Sequence, residues 1–389
     1  MKLHNYRLSC VLLLVLSRVL VFAQQPPNSI SVATYGAFGN DSTDNTAAIN
    51  AAIAAARSQG KTLYFPPGTY RISQSLEIGG LTVSGAGNSS ILKGTQTTNF
   101  RVVTVTRNNS GTSISNLKVT GSVLKRDFIS VGIFIDHSAN FTIKNVTVDT
   151  GTGGIQSWGG SNGLIVNNLV SNTLADCFHN TGGSSKIIIA NNTTGNCGDD
   201  MISVVSYLGE PITHNILIQD NVVSGQTNGR GITVVGGKDV TIQRNKISNS
   251  YAAGLLVASE PSYNTYGVNN VLVKNNVLTN VGNLAIGHAG LFVSMDNPGQ
   301  PGSNMSFENN KVTNSRSDGV RTEGVEHNVA FVTTAVNNPA LSGFSLGAGT
   351  NLYCHSNTLD GHPIVPANCT GTLNFKVTGS SLVYKPGAK

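Results

Sequence analysis

Between residues 113 and 310 the chain repeats a short phrase in which alternating apolar and polar positions run into one or two asparagines. It reads Ser113-Ile114-Ser115-Asn116, Thr142-Ile143-Lys144-Asn145, Ile165-Val166-Asn167-Asn168, Ile188-Ile189-Ala190-Asn191-Asn192 and Leu217-Ile218-Gln219-Asp220-Asn221. It continues as Thr241-Ile242-Gln243-Arg244-Asn245, Leu272-Val273-Lys274-Asn275-Asn276 and Ser306-Phe307-Glu308-Asn309-Asn310. Alternation with a period of two is that of a strand with one face in a core. With Ile114, Ile143, Val166, Ile189, Ile218, Ile242, Val273 and Phe307 as anchors, the intervals are 29, 23, 23, 29, 24, 31 and 34 residues. Such a period with variable insertions predicts a solenoid of stacked coils. The Asn falls at the bend after each strand, where it tolerates left-handed backbone and can bond to peptide groups or to the Asn of the next coil. Leucine-rich repeats would need a helical half and a Leu spacing that are missing. A propeller would need four strands per repeat, and each repeat has room for two or three.

A different segment precedes the repeats. Residues 35–46 are rich in Gly, Asn, Asp and Thr, and lead into an Ala-rich stretch, 47–57, with Ile49 and Ile53 at helical spacing. Asp44 or Asn45 suits the N-cap of that helix, and Thr62-Leu63-Tyr64-Phe65 with Pro66-Pro67-Gly68 reads as strand and turn. Helix first and coils second is the order of a cap, over roughly residues 30–72, that shields the open end of a β-solenoid.

Lys2 and Arg7 precede an apolar run, 8–22, and Val21-Phe22-Ala23 offers a small residue for cleavage. Residues 1–23 therefore read as a secretory signal peptide. The alternative, a membrane anchor, is interrupted by Arg18 and falls short of the roughly 20 apolar residues that a span needs. Nothing in 24–389 resembles a linker, so one elongated domain is expected. Only 11% of residues are charged while Gly numbers 44, a composition of many short strands joined by polar turns. The formal charge of +6 falls to +3 without Lys2, Arg7 and Arg18, too mild for a nucleic-acid partner and without the aromatic and basic cluster such a partner needs. No later segment is apolar enough for a membrane. Cys177, Cys197, Cys354 and Cys369 remain after the signal, an even number that favours disulfides in an exported protein. Proximity prefers Cys177 with Cys197 and Cys354 with Cys369; buried free thiols are the other reading.

Acidic residues are scarce, which makes their placement informative. Asp176 lies 10 residues after the anchor Val166 and Asp199 lies 10 after Ile189, so the spacing predicts these two at equivalent points of consecutive coils, with Asp200 beside them. Stacked like charges repel, but a carboxylate cluster holds one member protonated beside an ionised one, the pair that glycoside hydrolysis uses. The plainer reading is a turn cap at Asp176 and an ordinary polar loop at Asp199-Asp200.

Residues 32–72 resemble the N-terminal module of the pectate-lyase-like right-handed parallel β-helix superfamily, and the resemblance extends through the repeats. It implies an all-β, single-stranded right-handed parallel β-helix with an N-terminal capping helix, a scaffold that hosts hydrolases, lyases, epimerases and binding proteins. Asn172-Thr173 before Asp176, and Gly198-Asp199-Asp200 one coil on, are similar to the polygalacturonase signatures. Ala175-Asp176, Gly182-Gly183 and Gly198-Asp199-Asp200 are similar to those of the α-1,3-glucanase (mycodextranase) group, as are Gly231-Ile232-Thr233-Val234 and Gly236-Gly237-Lys238. In both groups the resemblance implies that Asp176, Asp199 and Asp200 serve catalysis, with inversion at the anomeric carbon. Gly229-Arg230-Gly231 stands where polygalacturonases carry Gly-His-Gly, and their Arg-Ile-Lys grip on galacturonate is absent.

His179, three residues after Asp176, resembles the Asp-His pairs of β-helix uronate epimerases. Arg230 and Lys238 are candidates for substrate carboxylate or hydroxyl groups, and Trp158 and Tyr207 for stacking on sugar rings; each could equally be a solvated or packing residue. No calcium-loop order is present and no cofactor or metal is expected. The expectation is a secreted glycoside hydrolase acting on an extracellular polysaccharide. A lyase or epimerase acting on uronic acids, and a non-catalytic glycan-binding β-helix, are the alternatives.

Overall fold

The computed structural model describes residues 24–225, 228–324, 326–347, 349–369 and 372–386; the signal segment lies outside them. The chain forms a right-handed parallel β-helix. Strands of successive coils pair in register to give one sheet of 25 strands, bent into two faces, and one of 11 that forms the third face. A coil runs from the smaller sheet through both faces of the larger, as in Gly153–Trp158, Ser161–Val166 and Leu169–Thr173, and the next repeats it as Phe178–Thr181, Ser185–Ala190 and Thr193–Gly195.

Register explains why the repeat was visible. Ile114, Ile143, Ile165, Ile189, Ile218, Ile242, Val273 and Phe307 stand above one another at consecutive strands, each no more than 1% exposed. Each such side chain stabilises the fold by about 1.5–3 kcal/mol through burial. One anchor is corrected. Ile165, not Val166, pairs with Ile143 and Ile189; Val166 instead pairs with Ala190, and both are buried, so apolar character alone could not distinguish the two positions.

The bend asparagines divide their work. The first of each pair takes the left-handed conformation, as at Asn167, Asn191 and Asn275. The second points inward and joins a buried ladder, Asn168, Asn192, Asn221, Asn245, Asn276 and Asn310, whose amides bond at 2.9–3.1 Å. Each ladder amide also bonds a peptide group one coil away, for example Asn221 Nδ2 donating to Ile189 O, which meets the polar demand that burial creates.

The helix Thr46–Gln59 buries Ile49, Ala52, Ile53 and Ala56 over the open end of the core. Asn45 is the cap residue by position, but the carboxylate of Asp44 accepts the Thr46 N–H at 3.0 Å. The strands Ser29–Ser31 and Thr62–Phe65 already pair in parallel, so the capping helix is inserted between coils rather than placed before them. No described helix is long and apolar enough to cross a membrane.

Candidate active site

The site lies on the outer face of the smaller sheet, where the strands Phe178–Thr181, Ile202–Val205 and Ile232–Val235 begin. Asp176, Asp200 and Arg230 each stand two residues before one of these strands. Parallel ladder bonds confirm their equivalence, Cys177 N donating to Asp200 O and Met201 N to Arg230 O. Asp200, not Asp199, is therefore the residue one coil above Asp176, a shift of the expected pairing that follows from the corrected anchor. The column reads Asp, Asp, Arg, so the cation completes a stack that two carboxylates alone would destabilise.

The second outward column supplies hydroxyls and an imidazole. His179, Ser203 and Thr233 are consecutive partners. Asp176 Oδ2 lies 2.6 Å from His179 Nδ1 and accepts from Ser203 Oγ at 2.7 Å, while its Oδ1 accepts the Asp200 N–H at 3.1 Å. One coil on, Asp200 Oδ2 accepts from Thr233 Oγ1 at 2.9 Å, and Oδ1 lies 2.9 Å from Arg230 Nε. Asp199 projects from the turn between them, with Oδ2 at 2.7 Å from Arg126 Nη2. Gly198 makes this approach possible: a Cβ there would stand 2.5 Å from the Leu174 carbonyl carbon on the coil below.

Oxygens of the three carboxylates lie within 4.8 Å of one another, and their environments differ. Burial works against the charge of Asp176, but His179, Ser203 and Arg230 outweigh it and hold its carboxyl below the usual range. Burial pushes Asp200 up to about 7, Arg230 opposing this and the charges of Asp176 and Asp199 adding to it. The spacing could hold one cation; Asp199 and Asp200 each also touch a guanidinium.

Around the cluster, Arg230 also reaches Glu260 at 3.3 Å, and Arg126, Tyr207, Tyr263 and Thr265 complete the lining. On the side away from the cap the outer face is filled by the buried side chains of Val205, Val235, Leu256 and Phe292, with Tyr207 packed against them. The structure thus brings Asp176, Asp199, Asp200, His179, Arg230 and Tyr207 into one pocket. Trp158 lines the groove one coil nearer the cap, packed against Gly182. Lys238 stands apart from that pocket: it is exposed at the start of Lys238–Gln243 in the larger sheet, because the chain turns away at Gly236-Gly237. Arg126, Glu260 and Tyr263 were missed. Arg126 comes from an insertion 50 residues before Asp176 and carries no sequence signal, whereas Glu260 directly follows the strand Leu255–Ser259 and register counting could have found it.

Both expected disulfides are formed, Cys177–Cys197 and Cys354–Cys369. The first ties the Asp176 coil to the turn that carries Asp199, with Cα atoms 5.5 Å apart.

The family described as rhamnogalacturonase A/epimerase, pectate lyase-like, matches residues 29–256. The chain belongs to this family. No curated protein matches it. Among solved structures, the catalytic unit of a thermostable GH87 α-1,3-glucanase from Streptomyces thermodiastaticus has a TM-score of 0.66 at 20% identity, over 87% of this chain and 70% of its own. A GH87 α-1,3-glucanase catalytic domain in complex with tetrasaccharides gives 0.73 at 20%, over 92% and 70%. The A-module of a mannuronan C-5 epimerase from Azotobacter vinelandii gives 0.62 at 18%, over 85% and 98%. At these identities the likeness is one of fold. The family description itself names a hydrolase and an epimerase, both carbohydrate-active.

Proposed function

We propose that the pocket hydrolyses glycosidic bonds of a polysaccharide outside the cytoplasm, with inversion. The observation that carries this reading is the cluster of three carboxylates with oxygens within 4.8 Å of one another in unlike surroundings, burial raising Asp200 to about 7 while His179, Ser203 and Arg230 hold Asp176 low against its own burial. Asp200, protonated near neutral pH, protonates the leaving oxygen. Asp176 stays ionised, and with Asp199, the most open of the three side chains at 25% exposure, it orients the attacking water. A water about 2.8 Å from each of two oxygens fits between them. The carboxylate oxygens, within 4.8 Å of one another, are closer than the roughly 6.5–9.5 Å of a usual inverting pair, so inversion rests on the motif resemblance to inverting β-helix hydrolases and not on this spacing. Purified protein incubated with neutral and acidic polysaccharides should release reducing ends. Release of unsaturated products absorbing in the ultraviolet, without hydrolysis, would sink the assignment.

One observation favours a second reading. The 2.6 Å contact between His179 and Asp176 is suited to a base that removes the C5 proton of a uronate, which makes epimerisation the competitor.

A further inference from the structure

The outer face of the smaller sheet does not end at the carboxylates. A cluster of buried apolar side chains lies on the side away from the cap; on the side toward the cap a separate groove is lined by Trp158, Phe134 and Arg107, and it adjoins a cavity of about 720 Å³ around Arg101 and Glu77. The pocket at the carboxylates is about 90 Å³. Thr104, Phe134, Gln156 and His179 are consecutive outward positions in this sheet. The strand of Arg101 is therefore three strand spacings, roughly 14 Å, from that of His179.

Arg101 is unlike its neighbours. Its guanidinium carbon stands over the Phe134 ring, 3.5 Å from the centroid. Its Nε is buried and has no hydrogen-bond partner, and no described carboxylate lies within ion-pairing distance of it. Arg107, beside it, is paired with Asp136 at 3.0 Å. Burial outweighs the longer-range attraction of Asp136 and Glu77 and lowers the proton affinity of Arg101, so its charge is answered only in part until a ligand places a carboxylate in direct contact with it. Two carboxylates share this cavity with Arg101: burial pushes Glu77 upward, while Asp136, against its own burial, is held below the usual range by His137 and Arg107.

We propose that Arg101, braced on Phe134, binds a uronate carboxylate of the same polysaccharide chain whose cleavable bond lies at the Asp pocket. The planar fork of a guanidinium held on an aromatic ring matches the two oxygens of a carboxylate, and a sulfate ester would share the charge but not the plane. The inference rests on the glycan reading of the pocket, yet binding tests it apart from turnover. In an Asp200→Asn background, which leaves ligand uncut, calorimetric titration would use polygalacturonate, its fully methyl-esterified form and dextran sulfate. Polygalacturonate is expected to bind about tenfold or more tighter than the ester. Arg101→Gln should erase that preference, and Arg101→Lys should restore it only in part. Lys246→Gln, an exposed charge on the larger sheet, controls for bulk attraction and should leave the preference in place. Equal preference in Arg101→Gln and its parent would overturn the proposal. Loss of dextran sulfate binding alone would overturn the carboxylate assignment. If no polysaccharide is cleaved but Arg101→Gln still abolishes the preference, the hydrolytic reading fails and the binding site stands.

Discussion

Replacing Asp200 with Asn removes the one group whose proton the proposed chemistry requires, and the consequence for stability can be worked out. Asp200 is 4% exposed, and its carboxyl is raised from 3.8 to about 7. Between those values the folded state keeps a proton that the unfolded chain has released. Stability is thus fully present below the unfolded value and falls as pH rises through the window, levelling off above about 7. At about 1.4 kcal/mol per unit, a shift of some three units amounts to about 4 kcal/mol across the window. Asn does not titrate, so wild type minus Asp200→Asn should slope by about 1.4 kcal/mol per pH unit from near pH 4.5 to near pH 6.5. Guanidinium unfolding at a series of pH values, disulfides intact, reads this difference directly. Parallel curves would mean that Asp200 is ionised in the folded protein at neutral pH, and its role as the acid would fall.

Three further outcomes are expected. Asp176→Asn and Asp199→Asn should each lower kcat by about a hundredfold or more with unchanged circular dichroism; near-wild-type rates in both would remove them from the chemistry. Replacing Cys177 and Cys197 together with Ala should cost about 3 kcal/mol in chemical unfolding, the value for a loop of this length, and lower activity through the loosened Asp199 turn; unchanged stability would show that the bridge constrains nothing. Gly198→Ala must push Leu174 or the turn itself away, so activity should fall more than the melting temperature does, and a fully active variant would refute the close-approach argument.

The β-helix was legible because a column of Ile, Val and Phe stacks from Ile114 to Phe307, and each of those coils had to reproduce it. The bend asparagines were legible for the same reason, since a buried amide ladder tolerates few other side chains. The carboxylate cluster could be found by coil counting, but the pairing within it could not. Val166 and Ile165 are both buried, so only backbone register showed that Asp200 sits above Asp176. Arg126 and Tyr263 remained hidden because they lie in insertions whose path follows from tertiary packing and not from the repeat. Lys238 falls outside the pocket because neighbours in sequence part at a bend, Arg230 lining the pocket beside the smaller sheet while Lys238 begins a strand of the larger.

The central claim is that this carboxylate cluster performs acid–base hydrolysis, and one experiment addresses it most directly. A polysaccharide that the protein consumes would be followed by proton NMR in heavy water with EDTA present. Hydrolysis predicts new reducing-end anomeric signals, the first formed having the configuration opposite to the bond cleaved, with no deuterium entering the sugar ring. Deuterium at C5 without new chain ends would identify an epimerase, and unsaturated ring signals a lyase; either result would contradict the account.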